Sequence, residues 1–299
     1  MECRPAGRWR IGSALPPPPP GGSWFVTGFV TGFVKGFLKA LVGGVIALFL
    51  GGASVEAAQG FAAPMASARI VARYPHDADA FTQGLVMADG VLYESTGGYG
   101  ESSLRRVELE TGRVLERVDL PAQWFGEGIT DWNDELIQLT WRAGVGVRYA
   151  RATLTPRARF AIAGEGWGLT HDGRHWIMSD GSAELRFLDP VDGRERKRVQ
   201  VMDGDRPVRH LNELEFIAGE VWANVWYQDH LVRIDPADGR VLGYVDLSHL
   251  WPDDQRRRHE QVLNGIAVDR EKGHLLVTGK RWPWLFRVQV ADEGRGDSE

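Results

Sequence analysis

Cysteine is almost missing from this chain of 299 residues, which holds a single one, Cys3, near its N terminus. A disulfide framework, a thiol nucleophile and a cysteine-built metal site are therefore unavailable to the rest of the sequence. Histidine is present, but no two share a metal-ligand spacing. His171 and His175 are four apart, yet they follow a turn in a strand-rich stretch, where that spacing does not make a helical pair. A Ser-His-Asp arrangement, a phosphate loop and a nucleotide fingerprint are missing too. The formal net charge of −5 lacks the basic footprint that nucleic-acid binding needs. Beyond residue 60 no long helical hydrophobic period occurs, which leaves an all-β reading. Nothing here calls for a cofactor or a metal, although a structural ion on a fold axis stays open.

What is present begins with an unusual leader. Residues 1 to 23 are rich in Pro and Gly, and 24 to 50 are almost uncharged, broken only by Lys35 and Lys39. The apolar run after these lysines, followed by the small residues GGASVEAAQG, has the order of a secretory signal, with Val55 and Ala57 at the small-residue sites. An uncleaved anchor is the rival reading, since the apolar stretch is long enough to span a bilayer. The expected organisation is a leader over 1–57, a short linker over 58–67, one catalytic domain over 68–290 and a polar tail over 291–299. Export to the periplasm or the medium follows, with membrane attachment only if the leader stays. A monomer is expected.

A phrase then returns along the chain with its chemistry changed each time. It reads FTQGL, FGEGIT, GWGLT, LNELEF and LNGIAVD, and measured from Gly84, Gly128, Gly168, Glu213 and Gly265 its steps are 44, 40, 45 and 52 residues. This is the period of a four-stranded propeller blade. Five copies predict a five-bladed β-propeller, and Gln83, Glu127, Trp167, Asn212 and Asn264 should converge around its axis. Turn pairs such as Thr111-Gly112 separate short alternating segments within the repeats. The last repeat has no obvious outer strand, while ARIVARY at 68–74 has no repeat of its own. Pairing these residues with LFRVQV would close the ring and remove two open edges.

Glu127 stands between two glycines and beside Phe125. In a confined, aromatic-rimmed place its pKa would rise toward the range useful for proton transfer; the alternative is a glutamate that only satisfies backbone donors. Trp141 and Trp226 each follow their ring residue by 14 positions, and Trp167 lies within a ring motif. The three indoles either pack the core or form a cage for a small polar ligand with an apolar stem. Lys280 lies beside Trp282 and Trp284, where it either pairs with a carboxylate or serves the site. Gln83, Asn212 and Asn264 can both donate and accept, as holding an amide or an amino group requires.

Long phrases carry a resemblance at this point: YPHDADAFTQGL, YESTGGYGESSLRRVELETG, FGEGIT, GWGLTHDG, RHLNELEFIAGEVWANVW, VLNGIA and VTGKRWPWLF. From about Ile70 to Val290 the chain resembles the plant and bacterial glutaminyl-peptide cyclotransferases. The resemblance implies a five-bladed propeller that converts N-terminal glutamine of peptides or proteins to pyroglutamate and releases ammonia, without a metal. It implies that Glu127 is the catalytic acid/base, and that Phe81, Gln83, Phe125, Trp141, Trp167, Asn212, Trp226 and Lys280 line the substrate pocket. Two readings from other classes stay open: a non-catalytic propeller that binds peptides, and a propeller hydrolase of the lactonase kind with an axial calcium.

Overall fold

The computed structural model describes residues 60–270 and 272–291. The expected leader and its cleavage site, and the tail beyond Ala291, lie outside the described residues. Strand β1 (Met65–Pro75) is followed by an antiparallel sheet of β2 (Thr82–Ala88), β3 (Val91–Thr96), β4 (Ser103–Glu108) and β5 (Arg113–Asp119). A second comprises β6 (Gly126–Trp132), β7 (Glu135–Thr140), β8 (Val145–Ala150) and β9 (Thr155–Ala161). The third has β10 (Leu169–His171), β11 (Trp176–Met178), β12 (Glu184–Leu188) and β13 (Glu195–Gln200), and a small hairpin of β14 (Met202–Asp203) and β15 (Arg206–Pro207) follows it.

The remaining strands are β16 (Leu211–Ile217), β17 (Glu220–Val225), β18 (His230–Ile234), β19 (Val241–Asp246), β20 (Leu263–Asp269), β21 (His274–Gly279) and β22 (Trp284–Val290). With β1 they form one eight-stranded sheet in the order β16-β17-β18-β19-β1-β22-β21-β20. Its two halves are antiparallel and are joined only where Met65–Ser67 runs parallel to Tyr244–Asp246. The pairing expected between the chain ends is present: β1 lies antiparallel to β22, from Ala68 opposite Val290 to Pro75 opposite Trp284. The first strand starts at Met65, three residues before the domain start expected at 68. Those three residues find their partner in β19, a contact that sequence alternation does not encode.

The repeated phrase has a physical cause. First strands pack in sequence, β2 on β6, β6 on β10, β10 on β16, β16 on β20, and β20 back on β2. Their backbones meet at the motif glycines. A Cβ on Gly84 would lie 2.5 Å from the amide nitrogen of Ile129, and one on Gly128 would lie 2.6 Å from the carbonyl oxygen of Trp167. One on Gly168 would collide with the carbonyl oxygen of Asn212. Glu213 replaces glycine in the fourth copy and sends its buried carboxylate across the ring, accepting the N–H groups of Ile266 at 2.7 Å and Leu85 at 3.3 Å.

Apolar side chains fill the space between consecutive sheets. Val86 and Leu104 meet Ile129 and Val147; Ile137 and Leu139 meet Leu169 and Trp176; Leu185 and Phe187 meet Leu214 and Val232. Leu231 and Val245 meet Ile266 and Val277, and Ala267 and Leu276 return to Leu85 and Leu92. Inner strands are buried on both faces, whereas β5, β9 and β13 are largely exposed. At the seam between the chain ends, buried His76 places Nδ1 2.7 Å from the Trp282 carbonyl and Nε2 3.0 Å from Glu94. Both neighbours are acceptors, an arrangement that favours the protonated ring. Burial opposes that charge most, but Glu94, the Trp282 carbonyl and Asp77 together outweigh it and raise the His76 pKa.

Removal of the first strand should expose the edges of both β19 and β22. A chain that begins at Asp77 is expected to melt well below one that begins at Ala58, by about 2–4 °C for each kcal/mol of pairing lost, or to aggregate. Equal melting temperatures would show that the β1 pairing does not hold the fold closed.

Candidate active site

The starts of the first strands with the loops that enter them, and the loops leaving the second strands, deliver the candidate residues to one end of the ring. Their register repeats. The N–H groups of Gly97, Trp141, Trp226 and Lys280 donate to the carbonyls of Phe81, Phe125, His210 and Val262 at 2.8–3.0 Å, so these four occupy equivalent positions just past the second strand of their sheets. The equal offset of Trp141 and Trp226 in the sequence thus has a structural counterpart. Lys280 occupies the same position in its own sheet, and Gly97 in the first. Gly97 is small for a reason: a Cβ there would run into the ring of Phe125.

Three polar candidates form one chain of hydrogen bonds. Lys280 Nζ donates to Gln83 Oε1 at 2.6 Å, and Gln83 Nε2 donates to Glu127 Oε1 at 3.0 Å. Lysine has no acceptor to offer, so it fixes which way the Gln83 amide points and turns its NH2 toward Glu127. Asn264 supports the same orientation, its Nδ2 lying 3.0 Å from the Thr82 carbonyl and 3.4 Å from Gln83 Oε1. Glu127 is only 5% exposed. Burial pushes its carboxyl well above the usual carboxylate range, the Lys280 ammonium pulls it back, and the charge of Glu165 adds to the rise. Burial likewise lowers Lys280 to about 8, against the opposing pull of Glu127. Both charges are thus destabilised by the same dry surroundings.

Aromatic rings enclose this chain in two groups. Phe125 makes edge-to-face contacts with Phe81 at 6.0 Å and Trp141 at 5.7 Å, and Lys280 Nζ sits 4.9 Å from the centre of the Phe81 ring. Trp167 meets Trp226 edge-to-face at 5.5 Å. Glu165, which sequence reading passed over, joins the groups. Its Oε2 accepts the indole N–H of Trp141 at 2.8 Å and that of Trp167 at 3.0 Å, while Arg142 donates to its Oε1 at 2.8 Å and covers Trp141. Burial would raise its pKa, but these donors win and lower it. A carboxylate two residues before a motif tryptophan was the available signal.

Asn212 is buried, and no side-chain bond joins it to the other candidates. Among the described residues its Oδ1 has no hydrogen-bond partner, and neither do Asn264 Oδ1 and Asn224 Nδ2. Buried amide groups of this kind are able to hydrogen-bond a polar group or water that reaches them. Glu213 is a structural group rather than a free axial carboxylate, because it holds backbone donors. Among the described residues no cluster of His, Cys, Asp or Glu is arranged to hold a metal ion.

Residues 44–290 match the family model described as glutamine cyclotransferase. The chain belongs to the glutamine cyclotransferase family. A curated relative, glutaminyl-peptide cyclotransferase of Arabidopsis thaliana, is 44% identical over 227 residues, which are 74% of this chain and 70% of the relative. The crystal structure of Myxococcus xanthus glutaminyl cyclase superposes with a TM-score of 0.73 at 36% identity and covers 77% of this chain and 100% of its own.

Two substitutions should move the Glu127 carboxyl in opposite directions. Lys280→Met removes the cation that lowers its pKa and should raise it further; Glu165→Gln removes an anion that raises it and should lower it. Infrared titration of the protonated carboxyl band reads both. Shifts of the same sign would refute this electrostatic account.

Proposed function

We propose that this member of the glutamine cyclotransferase family converts N-terminal glutamine of peptides or proteins to pyroglutamate and releases ammonia, with Glu127 as its general acid/base. The observation that carries the assignment is the Lys280–Gln83–Glu127 chain, buried inside an aromatic wall. We infer further that the four-stranded sheets, counted with β1 as the outer strand beside β22, are five blades of a propeller. The ring of first strands and the apolar layers between consecutive sheets support this count.

The reaction needs no external nucleophile. The neutral α-amine attacks the side-chain amide carbon, a five-membered ring closes, and the carbonyl oxygen becomes an oxyanion. One proton leaves the attacking nitrogen and one reaches the departing nitrogen before the carbon–nitrogen bond breaks. A single carboxyl group can do both. Among the described residues Glu127 Oε2 has no hydrogen-bond donor or acceptor, so it is the oxygen free to exchange the proton, while Gln83 anchors Oε1. The raised pKa suits this shuttle. A fully ionised carboxylate would be a poor acid at neutral pH, and an ordinary one a weak base.

Around the shuttle, the remaining groups orient and stabilise. Lys280 and the amides of Gln83 and Asn212 are polar groups fixed in a dry site, where they can stabilise developing charge at little reorganisation cost. Phe81, Phe125, Trp141, Trp167 and Trp226 supply apolar walls for the methylene stem of glutamine. They also exclude water, which would otherwise compete for the amide carbon.

Glu127→Gln should leave the fold intact and lower turnover at least about a hundredfold; a folded variant with near-normal turnover would remove Glu127 from the mechanism. The pH profile should be bell-shaped. Activity rises from pH 6 toward 8 as the α-amine, with an ordinary pKa of about 8, loses its proton, and falls above the value of about 8 at which Lys280 loses its charge. Acetylation of the substrate amine should abolish the reaction. Ammonia released from the acetylated peptide at a similar rate would reveal a simple amidase.

A further inference from the structure

Beyond the pocket wall the aromatic contacts do not stop. Trp226 meets Trp167 edge-to-face, and it also meets Tyr227, whose ring centre lies 4.6 Å away at an interplanar angle of 32°. Tyr227 in turn meets His259 at 4.7 Å and 43°. A row of rings, Trp167–Trp226–Tyr227–His259, therefore runs from the candidate pocket to solvent, with Tyr227 43% exposed. His259 is exposed as well.

The backbone of Tyr227 is what makes this arrangement unusual. Its φ is +63°, a left-handed conformation that is uncommon for a bulky side chain and costs free energy. Arg281, the counterpart of Tyr227 in the sheet of β20 to β22, also has a positive φ, +57°. The Tyr227 loop thus holds a strained residue whose large ring stays exposed. Core packing does not explain it. A tilted pair of rings open on one side can receive a third flat or large apolar group, because offset and edge contacts between rings are favourable.

We propose that Tyr227 and His259 form a subsite for the second residue of the substrate, and that this subsite favours aromatic and large apolar side chains. The inference rests on the proposed cyclotransferase reading, which puts the terminal glutamine in the pocket and leads the peptide out over its rim. Continuity through Trp226 sets the direction: the residue after glutamine leaves along the row of rings that forms one wall of the pocket. Tyr99 offers a second exposed aromatic, 57% exposed and 5.5 Å from Phe125. Among the described residues its one ring contact is with Phe125, so it belongs to a different aromatic group from Trp226 and Tyr227.

The test compares kcat/KM for the amides of Gln-Phe, Gln-Leu and Gln-Gly in the full chain and three variants. The native protein should prefer Gln-Phe over Gln-Gly by about five- to tenfold, the range expected for one ring contact. Tyr227→Asn removes the ring but keeps a residue type that tolerates the left-handed backbone, and should reduce this ratio to within about twofold. His259→Ala should reduce it in part, mainly through KM, and serves as the second readout should the Tyr227 variant fold poorly. Tyr99→Ala should leave the ratio intact.

Equal rates for the three dipeptide amides in the native protein would overturn the subsite. So would a preference that survives both the Tyr227 and His259 substitutions, or one that Tyr99→Ala abolishes instead. Failure of the native protein to cyclise any of the three would overturn the cyclotransferase reading, and the subsite with it. The two failures are therefore distinguishable.

Discussion

The close approach of backbone to backbone at Gly84, Gly128 and Gly168 is the constraint on which the rest of this structure depends. The first strands can form a tight ring only if no side chain stands between them, and at each of these positions a single Cβ would meet main-chain atoms of the next repeat. Main chain cannot move aside as the end of a flexible side chain can. In the fourth repeat the same position carries Glu213, and its carboxylate ties Leu85 and Ile266 across the ring instead. The ring then fixes the residue before each of these positions, and those residues are the site candidates Gln83, Glu127, Trp167 and Asn212.

Desolvation is the second consequence. Once the ring is closed and rings of Phe and Trp cover its end, an ammonium and a carboxyl share one dry space without direct contact, linked through the amide of Gln83. Their pKa values move toward each other, Glu127 upward and Lys280 down to about 8. A direct ion pair would have favoured both charged forms and opposed these shifts. The intervening amide prevents that. Glu165 works in the same economy from outside, since it orients two indoles and adds a negative potential that favours the protonated form of Glu127.

Seam and site are coupled through the chain ends. Lys280 follows β21, and β22 is the strand that pairs with β1, so the N-terminal strand supports the sheet that delivers the cation. His76 and Glu94 lock the same corner next to Phe81, whose ring faces Lys280. The strand that closes the fold is therefore part of the sheet that carries Lys280, while Gln83 and Glu127 belong to the first two sheets.

The sequence by itself determined the repeat, the all-β class, the pairing of the two ends and the family, because periodic glycines, turn pairs and long colinear phrases are local patterns that survive without coordinates. It also determined which residue types meet, since equal offsets from the motif put Trp141 and Trp226 in equivalent places. Only the tertiary structure decided which of them touch. The orientation of the Gln83 amide follows from a lysine 197 residues away, and the role of Glu165 follows from two indoles in neighbouring repeats. The exposed stack of Tyr227 on Trp226 depends on a backbone angle. None of these has a sequence period, because hydrogen-bond direction, desolvation and ring contact are set by distances between segments that the chain order keeps far apart.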